Sequence, residues 1–177
     1  MMERSLGSPG AQAMETDVAD ASPRFEDFFA TEHARLFAAL CFVTGDRQEA
    51  EEIMQDAFLR LWERWDRVAD VDDPSGYLFR TAMNLFRNRY RRAALAVKKA
   101  ITAIPTEDAL ATVEDRDVVV RALRALAPDQ RAAVVLTNYV GLTSDEAGRV
   151  LGMRPSTVRT LATRARAAVR DKAGDPR

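Results

Sequence analysis

The sequence predicts an all-α protein of two small helical bundles joined by a flexible linker. Apolar residues recur every three or four positions through most of the chain, and no strand-like alternation of useful length competes. A stretch of weak periodicity containing Pro105 separates two periodic halves. With 177 residues, 47% of them hydrophobic, the chain can bury two such cores.

The first half of the chain predicts one tail and three helices. Residues 1–24 carry Gly, Pro, Ser and Ala with no apolar period, which is typical of a flexible tail. A helical pattern then runs from Phe25 to a stop at Gly45. A second helix is predicted over about 47–68, and a third over about 74–93, with a proline in its tolerated first turn. Residues 25–93 are therefore expected to form the first bundle.

The second half predicts a linker over 94–114, a second bundle over 115–171 and a short tail over 172–177. The linker has small and acidic residues and little apolar periodicity. The helices expected in the second bundle span about 115–127, 129–140, 144–151 and 155–171.

Composition excludes several classes of protein. A lone Cys41 and a lone His33 exclude a disulfide framework and a Cys/His zinc cluster, and they leave little for nucleophilic catalysis. An enzyme is therefore the least expected of the classes considered. No apolar run of about 18 residues and no secretory signal are present, so membrane insertion is not expected and the cytoplasm is the expected location.

The net charge of −1 hides an uneven distribution. Residues 1–73 hold seven basic and seventeen acidic side chains, a balance of −10, whereas residues 74–104 hold seven basic side chains and no acidic one. Residues 131–177 hold nine basic and four acidic side chains, a balance of +5. Two separated basic blocks indicate two contacts with one polyanion, although two solvated surfaces would look the same by charge alone.

The predicted third helix carries an Arg/Asn face. At about 100° per residue, Arg80, Asn84, Arg87 and Arg91 fall within about 60°, with Asn88 beside them. Arginine neutralises phosphates, and an asparagine amide offers both a donor and an acceptor to a base edge. The helix also carries aromatic residues that could stack on a base. Of these, Phe79 and Phe86 are expected in the core, while Tyr77 lies nearer the polar arc.

The last two predicted helices have helix-turn-helix spacing. Thr143 and Glu146 fit a capping box, and the turn follows Gly152. In the last helix, apolar residues line one side and dock it against the bundle. The opposite side begins with a Ser/Arg/Thr cluster, where a recognition helix meets base edges, and later arginines suit phosphates.

Two classes of protein each fit part of the pattern described so far. A stand-alone helix-turn-helix regulator would bind a palindrome as a symmetric dimer. A helical adaptor would bind only protein, with both basic faces merely solvated.

Three segments resemble the bacterial RNA polymerase sigma factors of the extracytoplasmic function (ECF) type. The run GDRQEAEEIMQDAFLRLWERW (45–65) resembles their region 2 polymerase-binding segment, and PSGYLFRTAMNLFRNRYRR (74–92) is similar to their promoter-melting segment. The stretch 126–170 is similar to their C-terminal helix-turn-helix region. The motifs occur in the family's order and cover residues 25–171.

The resemblance implies a transcription initiation factor that binds core RNA polymerase, recognises the minus-thirty-five duplex and melts the minus-ten element. It implies that residues on the second helix contact the clamp helices of the largest polymerase subunit: Glu51, Glu52, Gln55, Asp56 and Arg60. Minus-ten contacts fall to Tyr77, Arg80, Asn84, Arg87, Asn88, Arg91 and Arg92, with Asn84 nearest the flipped base. Minus-thirty-five contacts fall to Ser156, Thr157, Arg159, Thr160, Thr163, Arg164 and Arg166.

The remaining implications concern the surroundings of these surfaces. Phe58, Leu61, Trp62 and Trp65 are expected in the core of the first bundle. The linker would thread the RNA exit path. An anti-sigma factor is a further candidate partner, the location would be cytoplasmic and nucleoid-associated through the polymerase, and no metal or cofactor is expected.

The sequence also departs from the family pattern. Leu161-Ala162-Thr163 stands where an Arg, an aliphatic residue and a His or aromatic are usual, which predicts altered or weaker minus-thirty-five preference. Asn88 replaces a common acid. Gly148 stands inside a helix, where glycine costs up to about 1 kcal/mol relative to alanine.

Overall fold

The computed structural model describes residues 24–99 and 114–173, and the regular elements within these two ranges are all helical. They are α1 (Phe25–Thr44), α2 (Arg47–Trp62), α3 (Trp65–Val68), α4 (Pro74–Lys99), α5 (Glu114–Arg124), α6 (Pro128–Val134), α7 (Ser144–Leu151) and α8 (Pro155–Ala173). The predicted all-α class is confirmed. The expected N-terminal tail, most of the expected linker and residues 174–177 lie outside the described residues.

Helix α1 ends where its sequence predicts. Gly45 adopts the left-handed conformation with φ 75°, and its amide donates to the Cys41 carbonyl at 2.9 Å. Glycine is needed there because of this φ and because Arg124 lies directly against its Cα. The buried side of α1 carries Leu36 and Leu40, which are inaccessible to solvent.

The predicted single helix over 47–68 is wrong, because the chain breaks into α2 and α3. Arg64, with φ −125° and ψ 13°, leaves the helical conformation. The break turns the Trp65 ring onto α1, where its centroid lies 5.3 Å from the Phe25 ring and 5.1 Å from the Phe28 ring. Burial of a large aromatic surface therefore stabilises the break more than one further turn of helix would.

Helix α4 begins at Pro74, as predicted, and continues to Lys99 rather than ending near Ala93. The Asp73 carboxylate accepts a hydrogen bond from the Gly76 amide at 2.7 Å, so the first turn of α4 is capped. The helix packs against α2 and, through its opposite edge, against α7.

In the second bundle, α8 packs against α5, α6 and α7. The helix predicted over 115–127 ends at Arg124, and the one predicted over 129–140 is α6 followed by a π-helical turn, Val135–Tyr139. That turn is closed by the Val140 amide, which donates to the Val135 carbonyl at 3.0 Å. One continuous hydrophobic core runs through both bundles, which lie against each other.

The capping box that begins α7 is confirmed. The Thr143 hydroxyl accepts from the Glu146 amide at 3.2 Å, and the Glu146 carboxylate accepts from the Thr143 amide at 2.7 Å. Gly152 closes the helix with φ 63°, which begins the turn to α8.

Close packing explains the glycine inside α7. A Cβ at Gly148 would lie 2.8 Å from the Met153 carbonyl oxygen, a backbone atom that cannot move aside cheaply. The helix-turn-helix is therefore tight enough to need glycine, and the propensity cost expected from the sequence is offset by this approach.

We predict that Gly148→Ala destabilises the protein. Forcing the Met153 backbone away costs about 1–3 kcal/mol, against a gain of up to about 1 kcal/mol from helix propensity. Urea unfolding should show a net loss of about 1 kcal/mol or more. Gln48→Ala, at an exposed position of α2, is the control and should change stability by less than about 0.5 kcal/mol. A Gly148→Ala variant as stable as wild type would contradict the packing argument.

Candidate polymerase and nucleic-acid interfaces

Helix α4 separates an apolar side from a polar side. Leu78, Phe79, Ala82 and Phe86 are at most 3% exposed, so the predicted core positions, including Phe79 and Phe86, are confirmed. Five of the residues predicted to contact the minus-ten element are exposed on the polar side. They are Arg80, Asn84, Asn88, Arg91 and Arg92. No carboxylate occurs anywhere in the α4 sequence, so the side chains of this helix contribute only positive charge to the polar side.

The other two predicted minus-ten residues have partners within the chain. The Arg87 side chain is only 15% exposed, and its Nη2 and Nε donate to Asp129 Oδ1 at 2.9 and 3.1 Å. Its Nη1 donates to the Leu151 carbonyl at 2.6 Å. Tyr77 is half-buried, and its hydroxyl accepts from Arg64 Nη1 at 3.3 Å. Both acceptors of Arg87 belong to the second bundle.

Helix α2 presents an exposed strip beside α4. Glu51, Gln55, Leu59 and Trp62 lie within about 80° of one another at 100° per residue. Leu59 and Trp62 are 55% and 61% exposed, so the expectation that Trp62 packs in the core is wrong. Phe58 and Leu61 are buried as expected, and Trp65 is half-buried against the core.

Leu59 and Trp62 are functional candidates that the sequence reasoning missed. The helical period does predict an exposed Trp62, because this residue lies about 20° from Glu51 and about 100° from Leu61 around the helix axis. The large apolar side chain of tryptophan led instead to the prediction that Trp62 packs in the core. An exposed tryptophan and leucine beside polar side chains have the composition of a protein-binding surface.

Two of the predicted polymerase contacts are engaged with α4. Arg89 Nη1 donates to Glu52 Oε2 at 2.7 Å, and Arg89 Nη2 donates to Asp56 Oδ2 at 3.0 Å. The hydrogen bond from Arg89, followed by the one from Gln48, lowers the pKa of Glu52. The hydrogen bond to Glu52 likewise raises the pKa of Arg89. This bridge fixes α2 relative to α4. The other three predicted polymerase contacts, Glu51, Gln55 and Arg60, are exposed and take no part in the bridge.

The polar side of α8 is exposed along its length. All seven residues predicted for the minus-thirty-five element lie there: Ser156, Thr157, Arg159, Thr160, Thr163, Arg164 and Arg166. The opposite side docks through Val158, Ala162 and Ala165, which are at most 4% exposed. Arg166 Nη2 donates to the Thr163 hydroxyl at 3.2 Å, so these two side chains are positioned together.

Within residues 24–99 and 114–173, no group of His, Cys, Asp and Glu side chains is arranged to hold a metal ion. Over the same ranges, no helix combines the length and the hydropathy that a membrane span requires.

Comparison with known proteins decides the family. Residues 28–95 match the model of Sigma-70 region 2, and residues 116–169 match that of Sigma-70, region 4. The RNA polymerase sigma-E factor of Streptomyces avermitilis is 30% identical over 156 residues, which cover 84% of each protein. The ECF RNA polymerase sigma factor SigM of Mycobacterium tuberculosis is 29% identical over 163 residues, covering 89% of this chain and 81% of SigM. The chain belongs to the sigma-70 family, as an ECF sigma factor.

A solved structure shares the fold. The sigma factor RpoE of Bartonella quintana, in complex with the anti-sigma factor NepR, matches with a TM-score of 0.77 at 21% identity. The match covers 86% of this chain and 98% of that one. Sigma factors are non-enzymatic initiation factors that direct RNA polymerase to promoters, and they act in the cytoplasm with core polymerase and promoter DNA as partners. The alternative of a stand-alone dimeric regulator is not favoured, because both sigma regions are present in order.

We predict that Arg89→Met lowers stability in a pH-dependent way. The pKa of Glu52 is lower in the folded chain than its ordinary value of 4.5, so the stabilisation is present above that pH and is lost as the pH falls through the folded pKa. The difference in urea midpoint between wild type and Arg89→Met should therefore be present at pH 7 and shrink below about pH 4.5. Arg91→Met, exposed on the same helix, is the control. A wild-type–Arg89→Met difference that is constant from pH 7 to 3 would contradict the bridge.

Proposed function

We propose that this sigma factor divides promoter opening among three helices. Helix α2 binds the clamp helices of the largest polymerase subunit, α4 opens the minus-ten element, and α8 binds the minus-thirty-five duplex. The observation that carries this proposal is the pairing of two unlike exposed surfaces on one bundle. The Leu59–Trp62 strip suits a protein, and the carboxylate-free polar side of α4 suits a separated DNA strand.

On α2, Trp62 and Leu59 supply the apolar anchors of the polymerase contact. Glu51 and Gln55 supply polar contacts on the same strip, and Arg60, exposed about 100° further round α2 from Leu59, would supply a contact outside it. Glu52 and Asp56 contribute in a second way, because each carboxylate holds Arg89 and keeps acceptor capacity for a polymerase group. The polar side chains at the edge of the contact then set its orientation, and Trp62, once covered by the polymerase, contributes most of the affinity.

On α4, Asn84 is the residue proposed to receive the flipped base. Flipping costs a few kcal/mol, which hydrogen bonds to the base edge and stacking must offset. The Asn84 amide is exposed and offers both hydrogen-bond types. Arg80, Arg91 and Arg92 would hold phosphates of the separated strand, with Asn88 beside them, and Tyr77 lies close enough along the helix to stack.

On α8, the N-terminal Ser156, Thr157, Arg159 and Thr160 would meet base edges in the major groove. Thr163, Arg164 and Arg166 would hold the flanking phosphates. Leu161 and Ala162 face the bundle side, in keeping with an altered minus-thirty-five preference. The linker through the RNA exit path stays a prediction, because most of residues 94–114 lie outside the described part of the chain.

Two further assignments extend the proposal. The RpoE relative was solved with an anti-sigma factor, which supports an anti-sigma factor as a partner of this chain. Association with the nucleoid through RNA polymerase follows from promoter binding.

The function is tested by run-off transcription on genomic fragments with sigma-free core polymerase. We expect initiation at discrete start sites only when the chain is added, and co-elution with core as one chain per polymerase. Binding of DNA by the chain as a symmetric dimer, with no effect on core polymerase, would contradict the proposal.

We predict that Trp62→Ala weakens binding to core polymerase by about 2 kcal/mol, or about 30-fold, since a buried aromatic anchor is lost. Titration of labelled sigma factor with core polymerase measures this. Arg67→Ala, at an exposed position in α3, is the control and should bind as wild type does. Equal affinity of Trp62→Ala and wild type for core polymerase would contradict the role of Trp62 as an anchor of this contact.

We predict that Asn84→Ala impairs promoter opening and leaves core binding intact. On a promoter mapped by run-off transcription, permanganate reactivity of minus-ten thymines should fall several-fold at equal polymerase occupancy. Asn138→Ala makes the same chemical change at an exposed position of the second bundle and should leave the footprint unchanged. An unaltered footprint with Asn84→Ala would count against the flipped-base role.

A further inference from the structure

The break between α2 and α3 places a guanidinium group beside the N-terminal end of α4. Arg64, the residue at the break, is exposed, and its Nη1 donates to the Tyr77 hydroxyl of α4 at 3.3 Å. The two residues lie 13 positions apart in the chain. Burial of Trp65 accounts for the break itself, whereas the contact between Arg64 and Tyr77 is a separate consequence of it.

The side chain of Arg64 leaves the backbone from a fixed point. Its amide donates to the Leu61 carbonyl at 3.0 Å, and its carbonyl accepts from the Arg67 and Val68 amides at 3.0 and 3.1 Å. The residue therefore closes one helix and opens the next. The packed ring of Trp65, which follows directly, restricts rotation of the chain at the break. The guanidinium thus reaches α4 from a backbone that has little freedom.

Tyr77 is held in place on α4. Its amide donates to the Asp73 carbonyl at 3.1 Å, its carbonyl accepts from the Thr81 hydroxyl at 2.9 Å, and its half-buried ring packs against the core. At about 100° and 1.5 Å per residue, Tyr77 lies about 20° around α4 from Asn84 and about 10 Å toward the helix N-terminus. Tyr77 is therefore on the same side of the helix as the residue proposed to receive the flipped base.

The hydrogen bond from Arg64 changes what the Tyr77 hydroxyl can do. A phenol oxygen that accepts from a guanidinium keeps its own proton for another acceptor. The positive charge of Arg64 polarises the hydroxyl, which strengthens the hydrogen bond that the hydroxyl donates. A DNA strand offers such acceptors in its phosphate oxygens and its base edges.

We propose that Arg64 is a positioning residue for promoter opening, which acts by orienting and polarising Tyr77 against the separated strand. Tyr77 stacks its ring on a base and donates a hydrogen bond from its hydroxyl to that strand. Arg64 acts through Tyr77 and does not hold a phosphate of its own. The proposal rests on the proposed function of α4, and it extends the minus-ten surface from α4 to the break that follows α2.

A double-mutant cycle tests whether Arg64 acts through Tyr77. Arg64→Met removes the donor and keeps the apolar stem, and Tyr77→Phe removes the hydroxyl and keeps the ring. The two single variants and the double variant are each assembled with core polymerase on a mapped promoter. Permanganate reactivity of the minus-ten thymines is then measured at equal polymerase occupancy. Arg67→Met, exposed in α3, is the control for a lost positive charge.

We expect each single variant to lower the permanganate reactivity about 3- to 5-fold, which is the effect of one lost hydrogen bond. The double variant should lower it no further than the stronger single variant does. Arg67→Met should match wild type. All variants should bind core polymerase with wild-type affinity and unfold at the wild-type urea midpoint.

Three results would overturn the positioning role. Effects that multiply in the double variant, to about 9- to 25-fold, would show that Arg64 acts independently of Tyr77. Wild-type reactivity in either single variant, or an equal loss with Arg67→Met, would show that the contact does not serve opening. A urea midpoint that falls in both single variants would show that the contact only stabilises the fold.

The salt dependence of strand binding distinguishes this indirect role from a direct phosphate contact. The probe is a labelled single strand with the minus-ten sequence of the mapped promoter, titrated with polymerase that carries each variant. A side chain that neutralises a phosphate contributes about 0.7 to the slope of log K against log salt on a single strand. Arg64→Met should weaken binding several-fold with the wild-type slope, and a slope smaller by about 0.7 would overturn the proposal.

A last comparison separates this proposal from the proposed function. Tyr77→Ala removes both the hydroxyl and the ring. If Tyr77→Ala impairs opening while Arg64→Met does not, only the positioning role of Arg64 fails. If neither Tyr77→Ala nor Asn84→Ala impairs opening, α4 is not the minus-ten surface and both proposals fail.

Discussion

Helix α4 carries the constraint on which the rest of the structure depends, because its two sides need opposite surroundings. Burial of Leu78, Phe79 and Phe86 contributes about 1.5–3 kcal/mol each to the stability of the first bundle. Guanidinium groups on the other side are stable only in water or against an anion. A helix of this kind leaves an exposed cationic surface once its bundle has folded, and promoter DNA is the anion that we propose for this surface.

Three consecutive residues show how α4 links the parts of the molecule. Arg87, Asn88 and Arg89 point about 100° apart, toward the second bundle, solvent and α2 respectively. Arg89 joins α4 to α2, the helix proposed to meet the polymerase, and Arg87 joins α4 to the helix-turn-helix through the Leu151 carbonyl. Movement of either neighbour would therefore act on α4 directly.

The ends of several helices could be predicted from the sequence because they depend on local interactions. The start of α4 at Pro74 and the capping box at Thr143 depend on neighbours within four residues, so the sequence alone reveals them. The break before Trp65 depends on rings in α1, and no local signal reports such packing. Trp62 was misjudged because residue type was given more weight than helical position. The partner of Arg87 lies 42 residues away, beyond the reach of any pattern argument.

The proposed roles of α2, α4 and α8 are tested most directly by a cryo-electron microscopy structure of the sigma factor with core polymerase on a mapped promoter. We expect Trp62 to be buried against the clamp helices, a separated strand to lie along the polar side of α4, and α8 to lie in the upstream major groove. Intact duplex along α4 in the initiation complex would contradict this division of labour.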